Sequence, residues 1–387
     1  MALAGLEVII IGGGIAGLCA AAALRQHGAQ VLVLEQAGGF REVGAGLQIS
    51  PNGARVLGAL GLADGLAQCA MRSKAVVLRA GATGRQVMRL DLPDDGAGFH
   101  LVHRADLIAL LAGALDGVET RFVAQVAQVS PDGPRPSVTL QGGETLAADL
   151  VLGADGLHSV LRPALQTGAV EAPFFTGQVA WRALIPEQPD CPAEAQVFMG
   201  PGRHLVSYPL HDGRLRNIVA VQTRRDWVAE GWNHPDNPAN LRAAFAGFDG
   251  PVPGWLAQVE HVFLWGLFRH KVARNWHKGH AAILGDAAHP TLPFMAQGAN
   301  MALEDAWQLV RCLQQAPIPA ALAQYQTARH ARVAKVIDAA NRNARNYHLR
   351  QPLAQIAHAG LRLASRLRPD APLRRFSWIY DFDVTHR

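Results

Sequence analysis

Val8-Ile9-Ile10-Ile11-Gly12-Gly13-Gly14-Ile15-Ala16-Gly17 is an apolar run closed by three spaced glycines, Gly12, Gly14 and Gly17, and followed by the Ala-rich segment to Leu24. That order reads as strand, tight turn, helix. The first glycine makes the turn, the second lets backbone approach a pyrophosphate, and the third lets helix and strand pack closely, with the helix N-terminus facing the anion. Ile15 and Ala16 sit inside the turn. A second apolar run, Val31 to Leu34, ends at Glu35, where an acid can hydrogen-bond a ribose hydroxyl. The unit is a dinucleotide-binding βαβ, and it does not choose between NAD and FAD.

With 387 residues, 49% hydrophobic and 17% charged, the chain is long enough for about two domains around a substantial core. The apolar N-terminus lacks a basic leader, carries Glu7 and is spent on the nucleotide strand, so it reads as mature structure. The best candidate for a membrane span, Leu107–Leu115, is short and lies between Asp106 and Asp116. A cytoplasmic protein is expected. The four cysteines, Cys19, Cys69, Cys191 and Cys312, form no close pair, so neither a redox disulfide nor a thiolate metal site is encoded. The pairs His100/His103 and His277/His280 suggest a metal, but no metal site is expected from them, for want of an acid at ligand spacing. The net charge of +5 gathers in the tail, with 13 Lys/Arg against 4 Asp/Glu from Arg311 onward. These arginines lack aromatic interleaving. A solvated or subunit-facing helix surface is expected, compatible with a homodimer, and no nucleic acid partner.

The helix after the glycine turn should end near Gln26 before Gly28, Pro51 should open another, and a third should begin at His103-Arg104. Leu150–Gly153 reads as a buried strand ending at Asp155-Gly156. From about Phe174 to Phe268 the pattern becomes short β-rich runs broken by Pro and Gly, which is an antiparallel sheet inserted into the nucleotide fold. Ala281–Leu284 returns to the parallel type and reaches Gly285-Asp286 at the carboxyl end, where an open α/β sheet binds ligands. Beyond Met301 the chain is helical, with Pro319 opening a second long helix.

Three separated motifs, Gly12–Gly17, Gly153-Ala154-Asp155-Gly156-Leu157-His158-Ser159 and Gly285-Asp286-Ala287-Ala288-His289-Pro290, stand in the order and spacing of the single-component, class A FAD-dependent aromatic hydroxylases. The chain resembles most the salicylate hydroxylase, 3-hydroxybenzoate 6-hydroxylase and 6-hydroxynicotinate 3-monooxygenase group. Phe40-Arg41-Glu42-Val43-Gly44-Ala45-Gly46-Leu47-Gln48, Arg104 in its His-Arg-Ala-Asp-Leu, and Met301–Ala306 add to the likeness. The resemblance implies an α/β fold like that of p-hydroxybenzoate hydroxylase, with a Rossmann-like FAD-binding domain, an inserted mostly antiparallel substrate sheet and C-terminal helices. Its boundaries would fall at 1–170 for the first part of the FAD domain, 171–272 for the substrate domain, 273–315 for the return and 316–387 for the helical region.

The resemblance also implies roles. Non-covalent FAD would be held by Gly12, Gly14, Ile15, Ala16, Gly17, Glu35 and Val123, with Arg104 and Asp286 on the linker between its rings. Gly298, Ala299 and Asn300 would face the pyrimidine edge of the flavin. Asp155 would serve flavin and nicotinamide together. NADH or NADPH, visiting transiently, would reduce the flavin, and dioxygen would give a C4a-hydroperoxide that hydroxylates a small phenolic or N-heteroaromatic acid. On His204–Pro209, period-2 alternation places His204 and Tyr208 on one face, as base and relay for a phenol, and Ser207 on the other. Gln48, Met199, Pro293, Phe294 and Met295 would line the pocket. Gln48 and Pro293 replace polar residues found in the hydroxynicotinate and hydroxybenzoate enzymes, so neither substrate is expected unchanged. Arg182 and Arg203 are candidates for a substrate carboxylate. A ubiquinone-pathway hydroxylase shares the three motifs, and an escort protein on a decayed nucleotide fold is the non-enzymatic alternative. A disulfide reductase would need a second glycine fingerprint and a cysteine pair.

Overall fold

The computed structural model describes residues 3–40, 46–94, 96–167, 172–187, 191–224, 234–368 and 370–386. A six-stranded sheet runs in the order His277–Lys278, Ala281–Ile283, Leu150–Gly153, Glu7–Ile11, Gln30–Leu34, Glu119–Arg121. Only its first strand is antiparallel to its neighbour. The central strands are continuous apolar runs because both faces are covered: Ile10, Leu152 and Ile283 are wholly buried. The helix Ile15–Gln26 follows the glycine turn and ends before Gly28, whose φ of +88° suits a residue without Cβ. Pro51–Ala59, Arg104–Gly113 and Ile318–Tyr347 begin where the sequence signals place them.

The expected β runs join three further strands in one eight-stranded sheet, ordered His234–Asp236, Val262–Arg269, Phe174–Pro186, Leu215–Thr223, Arg203–Leu210, Glu194–Gly200, Ala75–Ala80, Gln86–Asp91. It is antiparallel except where Glu194–Gly200 meets Ala75–Ala80. The last two strands come from inside the first 170 residues, so the early chain crosses into the inserted sheet before returning. One face packs Trp181, Phe198, Leu205 and Ile218 against Leu241, Phe245 and Leu256. The other presents Ala180, Val221 and Trp265 to Leu292 and Phe294. It looks toward the nucleotide half. The expected architecture, α/β with a mostly antiparallel insert and C-terminal helices, is the one observed.

Two long helices clamp the nucleotide sheet, Gly298–Gln315 and Ile318–Tyr347. Between them lies a buried ionic network. Arg329 Nε donates to Asp305 Oδ1 at 2.7 Å and its Nη1 to Glu304 Oε2 at 2.5 Å, and all three side chains are fully enclosed. Arg332 adds two bonds to Glu304, at 2.8 and 2.7 Å, and Asn52 Nδ2 a third at 2.6 Å. Burial alone would raise both carboxyls, but Arg329 and, for Asp305, His289 hold them below their ordinary values. Asp305 Oδ2 also accepts the Gly285 N–H at 3.1 Å and the His289 Nε2–H. The network thereby fixes the turn that carries Asp286.

Among the described residues no helix is long and apolar enough to cross a membrane. The helix Leu353–Leu367 buries Ala354 and leaves Leu353, Ile356, Leu363 and Leu367 59–72% exposed.

Removing Arg329 would leave two buried carboxylates beside each other with only Arg332 and His289 to offset them. Arg329→Met should lower the unfolding free energy by about 3–5 kcal/mol, whereas Arg374→Met, at an exposed ion pair with Asp370, should change it by less than about 0.5 kcal/mol. Urea unfolding midpoints at constant slope check both.

Candidate active site

The glycine turn has the geometry its sequence requires. Gly12 has a φ of +102°, and a Cβ there would stand 2.5 Å from the Ala154 carbonyl oxygen; one on Gly17 would overlap the Gly12 carbonyl. Gly14 differs. It precedes the first helical residue and nothing lies within 4 Å of the Cβ it lacks. Two glycines thus close the strand–helix contact, and the third opens space for a ligand at a helix N-terminus. Ile15 and Ala16 are buried in the first turn, where Ala16 meets Gly285 from the return segment.

Glu35 behaves more locally than expected. Its carboxylate accepts the Gly13 N–H and the Ala37 N–H, both at 2.7 Å. Val123 stands beside it, 78% exposed with a φ of +55°, and donates its N–H to the Ala37 carbonyl. Acid and valine therefore shape the rim of the glycine pocket.

Asp286 occupies the short turn Gly285–Ala287 after the return strand. Its side chain reaches solvent, yet protein crowds it on most sides, so it lines a recess and not the outer surface. That crowding raises its carboxyl, partly opposed by the charges of His289 and Arg104. Arg104, first residue of its helix, is lowered by burial and supported by Asp286. The two predicted linker contacts are thus brought together. The helix Gly298–Gln315 opens at the same recess, and its first turn leaves N–H groups of Gly298, Ala299 and Asn300 without intrahelical acceptors. The Asn300 side chain faces inward: Oδ1 accepts the Ser50 N–H at 2.9 Å, and Nδ2 donates to Gln48 O and Ala296 O at 3.0 and 2.8 Å. Asn300 thus fastens Gln48, on the strand Gly46–Ile49, to the helix. Asp155 also turns inward, Oδ2 taking the Val160 N–H at 2.7 Å, and burial raises its carboxyl. Arg41 to Ala45 of the Phe40–Gln48 motif lie outside the described residues.

On the inserted sheet, His204 and Tyr208 share the face turned to the nucleotide half, and Ser207 points the other way, accepting from Arg216 Nη1 at 3.2 Å. His204 is 2% exposed, its ring 5.4 Å from Phe294 and 5.3 Å from Tyr347. Its Nδ1 lies 2.8 Å from His348 Nε2. Burial, then the nearness of His348, pushes it well below its ordinary value, so a free-solution basicity near 6.5 does not hold here. Burial brings His348 down to about 4. Tyr208 is buried against the backbone of Gly46, and burial raises its hydroxyl despite the charge of Arg182. Met199 is the cross-strand neighbour of His204. Phe294 and Met295 sit in the short turn Pro293–Met295, Phe294 buried and Pro293 exposed.

The two arginine candidates separate. Arg203 donates to the Ala244 carbonyl, outside the recess. Arg182 pairs across the sheet with Val219, stacks over Trp265 at 3.5 Å, and is lowered to about 9 by burial and then by the charge of Arg104. Sequence reasoning missed His348, far along the chain from His204. It also missed that Asp106 and His211 join His103 as three groups of metal-ligand type. There His211 Nε2 and Asp106 Oδ2 already bond each other at 2.7 Å. The four cysteines are free thiols.

Residues 5–340 match the model of the FAD-binding domain family, and the chain belongs to that family. Over 98% of its length it is 36% identical to 96% of the 3-amino-4-hydroxybenzoate 2-monooxygenase PtmB3 of Streptomyces platensis. It is 32% identical to the 3-hydroxybenzoate 6-hydroxylase of Polaromonas naphthalenivorans, over 89% of each chain. Klebsiella pneumoniae HpxO, solved with FAD and uric acid, superposes with a TM-score of 0.83 at 26% identity, over 94% of each chain. The expectation of an FAD-dependent aromatic monooxygenase agrees with family, relatives and fold together.

Burying neutral imidazoles gives stability a defined pH dependence. Both His204 and His348 bind a proton less readily folded than unfolded, so stability is complete above about pH 6.5 and declines as pH falls below it. For His348 the decline runs to about pH 4. At pH 5.5 the loss from His348 should be on the order of 1 kcal/mol, with His204 acting in the same direction. Urea unfolding of wild type and His348→Gln at pH 7.5 and 5.5 checks this, the variant showing the smaller acid loss.

Proposed function

We propose that this protein is an FAD monooxygenase that uses NADH or NADPH and dioxygen to hydroxylate a small aromatic acid bearing a ring hydroxyl, of the 3-amino-4-hydroxybenzoate type named for its relatives. One observation carries the reading: Asp286, Arg104 and the N-terminus of Gly298–Gln315 converge on a recess that also receives the face of the inserted sheet holding His204 and Arg182.

The residues fit FAD. Gly14 leaves room for a diphosphate at the first helix, Arg104 carries a charge for it, and Asp286 offers an acceptor for polyol hydroxyls. When bound, FAD supplies hydride acceptance from the nicotinamide and activation of dioxygen. The N–H groups of Gly298 and Ala299 and the helix N-terminus favour negative charge beside them. Arg182 adds positive potential near Arg104, suited to a substrate carboxylate, with the plane of Trp265 fixing its guanidinium. Phe294, Met199 and Val221 line the same face with apolar surface, which excludes water from the reacting ring. His204 would take the proton of the ring hydroxyl, making the ring more nucleophilic. A cytosolic setting, with reduced thiols and available nicotinamide cofactor, fits the four free cysteines.

The purified protein should be yellow. Salicylate, 3-hydroxybenzoate, 6-hydroxynicotinate and 3-amino-4-hydroxybenzoate should be compared for stimulation of NADH and NADPH oxidation, with hydroxylated product scored apart from peroxide. At least one should stimulate oxidation tenfold or more with product formed; peroxide alone from all four would refute the reading. Asp286→Ala should lose at least nine-tenths of its flavin on gel filtration.

A further inference from the structure

His204 poses a chemical difficulty that its surroundings answer. A base must hold the proton it removes, yet this imidazole is 2% exposed, with Phe294, Tyr347 and His348 around it and Met199 and Val221 as cross-strand neighbours. Among the described residues, the titratable groups in ring or hydrogen-bond contact with it are Tyr347 and His348, and neither is a carboxylate that could stabilise an imidazolium. Burial lowers His204 and His348 alike. A proton parked on either ring would be expelled.

The geometry offers a route by which it need not be parked. His204 Nδ1 is 2.8 Å from His348 Nε2, and His348 Nδ1 is 3.3 Å from Thr223 Oγ1, on an exposed residue at the end of its strand. Among the described residues no bond occupies His204 Nε2, the nitrogen left for a ligand. If each ring carries its proton on Nδ1, every donor points outward: ligand hydroxyl to His204 Nε2, His204 Nδ1–H to His348 Nε2, His348 Nδ1–H to Thr223 Oγ1, Thr223 O–H to water.

We propose that His204, His348 and Thr223 form a proton relay that carries the ring-hydroxyl proton of the bound aromatic acid to solvent while both imidazoles stay neutral. The substrate O–H bond breaks as a bond to His204 Nε2 forms. In the same shift the Nδ1 proton of His204 passes to His348 Nε2, that of His348 Nδ1 passes to Thr223, and the threonine hydroxyl proton passes to water. The substrate keeps the electron pair as phenolate, and both rings end as the other neutral tautomer. A proton returning along the chain to the product phenolate resets them. Thr223 and His348 are positioning and relay residues; only His204 touches substrate. The relay rests on the function proposed above.

The test uses the flavin-loaded protein and 3-amino-4-hydroxybenzoate as probe, with proton release on binding followed by a pH-indicator dye in stopped flow. His348→Leu and His348→Gln should both keep their flavin and slow proton release at least tenfold, and added imidazole should restore a good part of the rate in His348→Leu. Gln can hold His204 in place but cannot pass a proton, so a wild-type rate in His348→Gln would overturn the relay. Independently of any substrate, 15N NMR of histidine-labelled flavoprotein should show His204 and His348 as neutral Nδ1–H tautomers at pH 7. An Nε2–H tautomer on His204, or an imidazolium on either, would also overturn it. Failure of the function itself looks different: no hydroxylated product from wild type with any aromatic acid, whatever the tautomers.

Discussion

Two carboxylates and one guanidinium, all sealed from water, hold this molecule's recess in shape. Taking Glu304, Asp305 and Arg329 out of solvent is costly, and the cost is offset because every carboxylate oxygen accepts at least one hydrogen bond and each nitrogen of the Arg329 guanidinium donates one. The partners span four parts of the chain: the helix after Ser50 through Asn52, the return turn through Gly285 and His289, and the two long helices. A displaced Asp305 would release the backbone that aims Asp286. The ionic core is therefore the frame to which the residues of the recess are fastened.

The recess itself is made by one surface of each half. The nucleotide half contributes helix N-termini and the acid–base pair of Asp286 and Arg104; the inserted sheet contributes His204, Arg182 and an apolar lining. Arg104 stands close enough to both Asp286 and Arg182 to shift them, so the two surfaces are coupled electrostatically through one guanidinium.

Much of this was legible in the sequence because it is local. The glycine turn is read from steric necessity at Gly12 and Gly17, and the β-rich runs from about Phe174 to Phe268 from composition and alternation. What escaped was long-range. Ala75–Ala80 was not singled out, and nothing in it says that its neighbour is Glu194–Gly200, since a strand's pairing is not written in its own residues. Glu304 and Asp305 look like the polar side of a helix, and only Arg329 and Arg332, one turn apart among Val333 and Val336, hint at buried partners. His204 was found by its spacing to Tyr208, but its basicity depends on burial and on His348, 144 residues away. Glu35 was identified as an acid at the right place, while its bonds to Gly13 and Ala37 depend on how the loop closes.

The strand Ala281–Ile283 completes a sheet whose other parallel members all lie within the first 153 residues. During synthesis those members must wait, with the edge of Leu150–Gly153 unpaired, until well over a hundred further residues have left the ribosome. The inserted sheet likewise cannot close without Ala75–Ala80, made long before its partner. Neither half is then a free-standing translation unit. The nascent chain carries exposed apolar β edges for much of its elongation, the condition under which chaperone capture competes with aggregation.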